Sequence, residues 1–380
     1  MSRKPSLEDL KSMDARRICV IKPSAFGDVI QSLPLLPALR SRFPQAEITW
    51  VINRELQGLL EGHPDLNHII PFERKGTLRD WRRLMRKLRR GQFDLVFDLQ
   101  GLLRTGFMTM ATSAAHRVGL ETTREGSHLA CNLTVPDTGK SIPAHARYWR
   151  IAEALGVGSL PRQTYIHTSP ADEKWSENAL ESLSGPILAI HPGARWITKL
   201  WPLESFAVVA CRAARQFGFN LVIVGGPAER SRCEELELTI RRIHPASKVR
   251  NLAGATELKE LTALLRRIDL LLTNDSGPMH LAAGVGTPVV GVFTCTSPER
   301  SGPPGEQHAL IAADVPCAAS YYKRCPKHGP EFQCCMENLS AERVWRSMVE
   351  LLQSSPEILD PGRPLLVETP LPVETVPIAA

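Results

Sequence analysis

The sequence predicts an α/β chain of two Rossmann-like, doubly wound domains facing one another across a cleft, and three observations carry that expectation. Short, nearly continuous apolar runs of strand length alternate with amphipathic runs of helix length, once on each side of a stretch where periodicity breaks down. The turns after several of these runs are rich in Gly, Asp, Asn and Ser and open directly into helices, as loops at the carboxyl ends of parallel strands do. With 380 residues and a 43% hydrophobic composition, the chain can bury two cores of ordinary domain size.

Composition narrows the function. The opening MSRKPSLEDLKSMDARR contains acids and no apolar segment, so neither a secretory signal nor an acid-poor transit peptide is expected. No apolar run is long enough to span a bilayer, and a cytoplasmic location follows as the expectation. Nine cysteines is an odd number, and Cys19, Cys131, Cys211, Cys233 and Cys295 stand alone at strand or helix positions, as reduced thiols do. A net charge of +6 suits an acidic substrate or an anionic membrane surface. Without a basic fold signature, no nucleic-acid partner is expected.

Residues 1–16 form a polar leader. Arg17 to Ile21 then reads as a strand, and the loop Lys22-Pro23-Ser24-Ala25-Phe26-Gly27-Asp28 leads into a helix through Ile30, Leu33, Leu36 and Leu39, disturbed by Pro34 and Pro37. This β-loop-α unit carries a carboxylate but no G-x-G-x-x-G, so it is not a dinucleotide fingerprint, and no Walker A sequence exists. Further strands are expected at Ile48 to Ile52, His68 to Phe72 and Asp94 to Leu99. In the helix between the last two, Trp81, Leu84, Met85 and Leu88 fall on one face and arginines fill the other. That basic face is either simply solvated or a contact for anionic lipid. Arg104, Arg117 and Arg124 follow in loop and helix positions where they could line an acidic acceptor site or serve as ordinary surface arginines.

The first domain is thus placed at residues 17–165, with a linking stretch over about 160–185. The second, 185–340, opens with the strand Pro186 to Ile190 and the loop His191 to Pro202. Its further strands are expected at Leu221 to Val224, Val249 to Leu252, Leu270 to Thr273 and Val289 to Phe293, with helices near 203–217, 228–243 and 257–267. A terminal helix over 341–353 precedes a proline-rich tail, 354–380, expected to be disordered.

The stretch LLLTNDSGPMHLAAGVGTPVVGVF organises the second domain. Asn274-Asp275-Ser276-Gly277 is loop and cap chemistry, and Pro278 suits a first helical turn. Asp275 and Ser276 either merely cap this helix or, with Gly277 and its free N–H groups, form a diphosphate site. Across the expected cleft, Asp28 would act as general base in group transfer from a nucleotide-activated donor, with Lys199 stabilising the departing diphosphate. Glu229, just beyond a strand end, would accept hydrogen bonds from a ribose. No Asp-x-Asp pair is present, so neither cofactor nor obligatory metal is expected.

SAFGDVIQSLPLLPALR, FDLQGLLRTG, HPGARWITKLWPLESFA, NLAGATELKEL and TNDSGPMHLAAGVGTPVVGVF resemble, in order, the motifs of the lipopolysaccharide heptosyltransferases of glycosyltransferase family 9. The resemblance covers about residues 17–352. It implies a GT-B fold and inverting transfer of heptose from ADP-heptose to the inner core of lipopolysaccharide or a similar anionic glycan, with possible peripheral contact at the cytoplasmic face of the inner membrane. By motif, Asp28 corresponds to the catalytic aspartate, Lys199 to the diphosphate lysine and Glu229 to the ribose contact. Thr198, Asp275, Ser276, Gly277 and His280 complete the donor set. Arg104 stands where the family often has an acceptor-binding lysine, with Arg117 and Arg124 as further acceptor candidates. The runner-up activity is a sugar-nucleotide 2-epimerase, which would share the fold and the donor site. Cys317, Cys325, Cys334 and Cys335 near His328 fit no standard zinc knuckle, and zinc, free thiols and a disulfide all remain open for them.

Overall fold

The computed structural model describes residues 6–360, which divide into two compact units, 6–167 and 168–360. The expected tail beyond residue 360 and the first five residues of the leader lie outside the described residues.

In the first unit, six strands form one parallel sheet: β1 (Arg17–Ile21), β2 (Glu47–Asn53), β3 (His68–Phe72), β4 (Leu95–Asp98), β5 (His116–Leu120) and β6 (Leu133–Val135), in the order β3-β2-β1-β4-β5-β6. The central strands are apolar through most of their length because helices cover both faces, and Ile18 to Ile21 are fully buried between β2 and β4. The helix Leu78–Arg90 starts at a capping box in which Thr77 and Asp80 exchange hydrogen bonds, and it buries Leu84 and Leu88 against the sheet. The single helix expected after Asp28 is two, Phe26–Ser32 and Leu35–Arg42, because Pro34 sits at the junction as the N-cap of the second. The leader is not merely polar: Leu7–Ser12 is a helix, capped reciprocally by Ser6 and Asp9, and it buries Leu10.

The second unit repeats the architecture. Strands β7 (Ile187–His191), β8 (Asn220–Ile223), β9 (Val249–Asn251), β10 (Leu270–Asn274), β11 (Val289–Phe293) and β12 (His308–Ala312) lie parallel in the order β12-β11-β10-β7-β8-β9. Counted from its first strand outwards, this order is the same as in the first unit. The helix Leu203–Phe217 covers it with Phe206, Val209 and Ala210 and stops at Gly218, whose φ of +73° allows its N–H to reach the Ala214 carbonyl. Trp201 packs edge-on against Phe206 with ring centroids 4.9 Å apart.

Two further stretches differ from expectation. Within the expected link lies a regular helix, Pro170–Leu180, capped by Ser169 and Asp172. It belongs to the second unit, where Arg266 and Arg267 pair with Glu173 and Glu177. At the other end the helix runs over Ala341–Ser354, and the turn Pro356–Leu359 buries Ile358, so order extends past the expected start of the tail. No helix among the described residues is long and apolar enough to cross a membrane.

Candidate active site

In each unit the polar chemistry gathers at the carboxyl ends of the two central strands, where successive connections leave the sheet in opposite directions.

In the first unit these strands are β1 and β4. β1 runs into Lys22, which is 2% exposed despite its charge. Its ammonium lies 3.7 Å from Asp28 Oδ2 and 3.4 Å from Gln100 Oε1, over the ring of Tyr148. Burial pulls the Lys22 ammonium below its ordinary range, and Asp28 and Asp98 oppose that pull. Asp28 itself is in the first turn of its helix and is not the N-cap, a position held by Ala25. One carboxylate oxygen accepts the Ala25 N–H at 3.3 Å, and the other accepts the Tyr148 hydroxyl at 3.3 Å. Burial, and then the Asp28 charge, push the Tyr148 phenol well above its usual range, so it remains a hydrogen-bond donor. The Asp28 side chain is still 38% exposed and able to meet a ligand.

Asp98 closes β4 and is wholly buried, accepting from the Gln100 and Gly101 amides and the Thr105 hydroxyl at 2.9–3.0 Å. It shapes the turn that starts the helix Leu103–Ala111, and burial pushes its carboxyl up. Arg104 on that helix stacks over Phe72, 5.4 Å from the ring centroid. It lines a cavity of about 420 Å³ at the end of β3, together with Arg54, Arg74, Arg83, Lys87 and Trp81. Arg117 is used differently, donating to the Ala130 and Ala114 carbonyls at 2.8 and 2.6 Å, which ties β5 to the following turn. Arg124 is exposed, and its amide donates to the Gly101 carbonyl, which sets it beside the loop that carries Arg104.

In the second unit the central strands are β7 and β10. Lys199 Nζ donates to Asp275 Oδ2 at 2.7 Å, with both side chains largely buried, and lies over the Trp196 ring. Ser276 holds the backbone N-cap position of the helix Gly277–Gly284 but makes no side-chain cap bond. Its hydroxyl lies 3.1 Å from His191 Nδ1, while His191 Nε2 lies 3.2 Å from Glu229 Oε2. Burial pushes the Glu229 carboxyl up, but His191, the Gly226 amide and Arg232 together outweigh it and hold it below its ordinary value. In its neutral form His191 therefore donates from Nε2 to Glu229 and accepts from Ser276, one line of hydrogen bonds from helix start to carboxylate. The Asp275 side chain is thus engaged by Lys199, and that of Ser276 meets His191 without capping the helix. His280 is buried on the same short helix, whose first residue is Gly277.

The loop bearing Lys199 is clamped from below. Asn274 donates to the Pro192 carbonyl and accepts the Trp201 amide, and Arg232 donates to the Pro192 and Trp201 carbonyls. Thr198 donates to the Tyr322 carbonyl and accepts from the Cys295 thiol, which joins the loop to the cysteine-bearing segment. Cys295, Cys317, Cys325 and Cys335 line a small cavity beside Thr198, and all nine cysteines are free thiols. Among the described residues no three His, Cys, Asp or Glu side chains converge as a metal site requires. Sequence alone assigned no role to Lys22, Asp98, Tyr148 or His191, and Asn274 read only as loop and cap chemistry. A lysine, a histidine and two polar residues directly ending buried apolar runs were the available signal, whereas Tyr148 gave none.

Two parallel six-stranded Rossmann-like sheets in one chain, each with its polar groups at the central strand ends, are the architecture of the GT-B class of proteins, whose commonest members are glycosyltransferases. The model of glycosyltransferase family 9 (heptosyltransferase) matches residues 81–329, and the chain belongs to that family. The lipopolysaccharide core heptosyltransferase OpsX of Haemophilus influenzae is 31% identical over 294 residues, covering 76% of this chain and 82% of that protein. A glycosyltransferase family 9 structure from Veillonella parvula superposes with a TM-score of 0.75 at 26% identity, covering 90% of this chain and 98% of that one. The Escherichia coli ADP-heptose lipopolysaccharide heptosyltransferase II shares the fold, with a TM-score of 0.71 at 24% identity over 90% and 99% of the two chains.

Proposed function

We propose that this heptosyltransferase moves a heptose from ADP-heptose to the inner core of lipopolysaccharide in a single inverting displacement. The first unit would take the acceptor and the second the donor. An acceptor hydroxyl oxygen attacks the anomeric carbon as the bond to the β-phosphate oxygen breaks, and ADP leaves. Asp28 takes the hydroxyl proton, and Lys199 with the amides opening the helix Gly277–Gly284 meets the charge growing on the diphosphate. Glu229, oriented by His191, accepts from the ribose. Arg104 and the cations around its cavity receive acidic groups of the acceptor. On this reading neither metal nor cofactor is required, and the enzyme contacts the membrane peripherally to reach a lipid-linked acceptor.

The observation that carries the reading is the Asp28 carboxylate. It is oriented by the Ala25 amide and the Tyr148 hydroxyl, charge-balanced by a buried lysine and still partly exposed. Position of this kind is what a general base needs most. The test is to incubate the protein with ADP-heptose, with and without a truncated inner-core acceptor and with and without a chelator, and to follow ADP release and the anomeric configuration of the product. Acceptor-dependent release with inversion and no effect of chelator is expected. A changed sugar nucleotide without acceptor would make the protein an epimerase instead.

A further inference from the structure

Exposed apolar side chains are unevenly distributed. Of the nine large hydrophobic residues most exposed among the described residues, five lie in the first unit on three adjoining elements: Leu78, Leu103, Phe107, Met110 and Leu129, each 48–79% exposed. Leu103, Phe107 and Met110 fall at i, i+4 and i+7 of the helix Leu103–Ala111, so they form one outward stripe, while Met108 packs inward on the sheet. The turn Ser127–Ala130 presses against this helix at Gly106, where an added Cβ would come 3.3 Å from Ser127 Cα, and it presents Leu129 beside the stripe.

Alongside runs the basic helix Leu78–Arg90. Arg89 reaches Ser113 just past the end of the apolar helix, and Leu78 and Arg104 line one cavity at the helix starts. Nine Lys and Arg side chains between Arg74 and Arg90 are exposed, and Asp80 is the one acid in that stretch, already engaged by Thr77 in the cap. Protein interfaces deplete lysine and charge from their cores. An apolar stripe edged by cations matches instead the headgroup and acyl boundary of an anionic bilayer, with guanidinium groups on phosphates and Phe107, Met110 and Leu129 entering the acyl region.

We infer that the Leu103–Ala111 stripe, the Leu129 turn and the Arg79-Arg82-Arg86-Arg90 edge form a docking face for an anionic lipid surface, with charge supplying attraction and the apolar stripe supplying retention. This rests on the reading of a peripheral enzyme with a lipid-linked acceptor, and it specifies the surface that contacts the membrane. Beyond encounter, docking would hold the acceptor cavity next to the surface in which acceptors are anchored, replacing a three-dimensional search by a two-dimensional one.

The test uses the full chain and sedimented vesicles of phosphatidylcholine, alone or with about a third phosphatidylglycerol, at about 0.1 M and about 0.5 M salt. Two variants are compared with wild type: Arg79→Gln/Arg82→Gln/Arg86→Gln/Arg90→Gln, and Phe107→Gln/Met110→Gln/Leu129→Gln. All seven side chains are exposed, so both variants should keep the wild-type unfolding transition. Wild type should bind only the anionic vesicles. The charge variant should lose roughly 10²-fold in partitioning at low salt, and the apolar variant about 10-fold, with its residual binding fully reversed by high salt. Both should transfer sugar to a soluble truncated acceptor at the wild-type rate.

Wild-type partitioning by both variants, or no binding by wild type, overturns the docking face. So does a change of oligomeric state in the apolar variant with unchanged partitioning, which would make the stripe a contact between copies of the chain. Absence of any sugar transfer by wild type, with vesicle binding as described, would remove the transferase mechanism and leave the docking face standing.

Discussion

Lys199 and Asp275 form a nearly buried ion pair, Nζ to Oδ2 at 2.7 Å, across the loop after β7 and the loop after β10. The pair does two jobs at once. Asp275 fixes the ammonium beside the start of the Gly277–Gly284 helix, and the ammonium offsets the cost of burying the carboxylate.

Lys199→Ala should therefore lower ADP affinity and turnover together, by about 10- to 10³-fold, because a charge-assisted contact gains strength as the leaving group gains charge. It should also destabilise the second unit by leaving Asp275 unpaired. Lys199→Arg should recover part of both. Calorimetric ADP titration with steady-state kinetics reads the two effects, and unchanged values in the alanine variant would take Lys199 out of the site.

Asp28→Asn should cost on the order of 10²- to 10⁴-fold in transfer rate with ADP affinity nearly unchanged, and it should lower the stability of the first unit because the buried Lys22 ammonium loses its counter-charge. Asparagine can still accept the Ala25 amide but cannot take a proton. Transfer near the wild-type rate would assign the base elsewhere.

At Gly193 an added Cβ would sit 1.8 Å from Glu229 Oε1. Gly193→Ala should push the carboxylate away from His191, weaken nucleotide binding by about 10-fold and cost roughly 1–3 kcal/mol of stability. Wild-type nucleotide affinity in this variant would dismiss the His191–Glu229 line as a ligand determinant.

Acid should weaken the first unit through His63. Burial pulls its imidazole from 6.5 to about 4, and Nδ1 accepts the Asp65 amide at 3.2 Å, as a neutral ring does. Between those two values the unfolded chain binds the proton that the folded chain refuses. The stabilisation is whole above pH 6.5 and is lost as pH falls towards 4, on the order of 2–3 kcal/mol. Urea titrations at about pH 7 and about pH 4.5 should show a smaller difference for His63→Gln than for wild type. Equal differences would reject the assignment.

The strand Val289–Phe293 and the helix Leu203–Phe217 could be read to the residue, because burial on both faces or along one broad face writes continuous or periodic apolar patterns, and the half-covered edge strand His68–Phe72 was legible from its run of apolar residues. Edge strands β6 and β12 could not: β6 has three residues, and of β12 only Ile311 is buried. The helix Pro170–Leu180 escaped because it buries little beyond Ser176 and Leu180 and docks through ion pairs, although its Ser169 and Asp172 cap was visible. Of the site, the loops at strand ends announced Asp28, Lys199 and Ser276. The pairings were not legible: Tyr148 is 120 residues from Asp28, and Asp275, itself singled out by its loop, is 76 from Lys199, separations that only the folded chain brings to hydrogen-bond distance.

The identical strand order of the two sheets has an evolutionary consequence. Each unit is a complete frame with its own sheet and its own polar edge. On the proposed division of labour, donor choice and acceptor choice are separately heritable. A lineage can meet a new surface sugar by altering the loops after β1, β3 and β4 while its nucleotide half stays as it was.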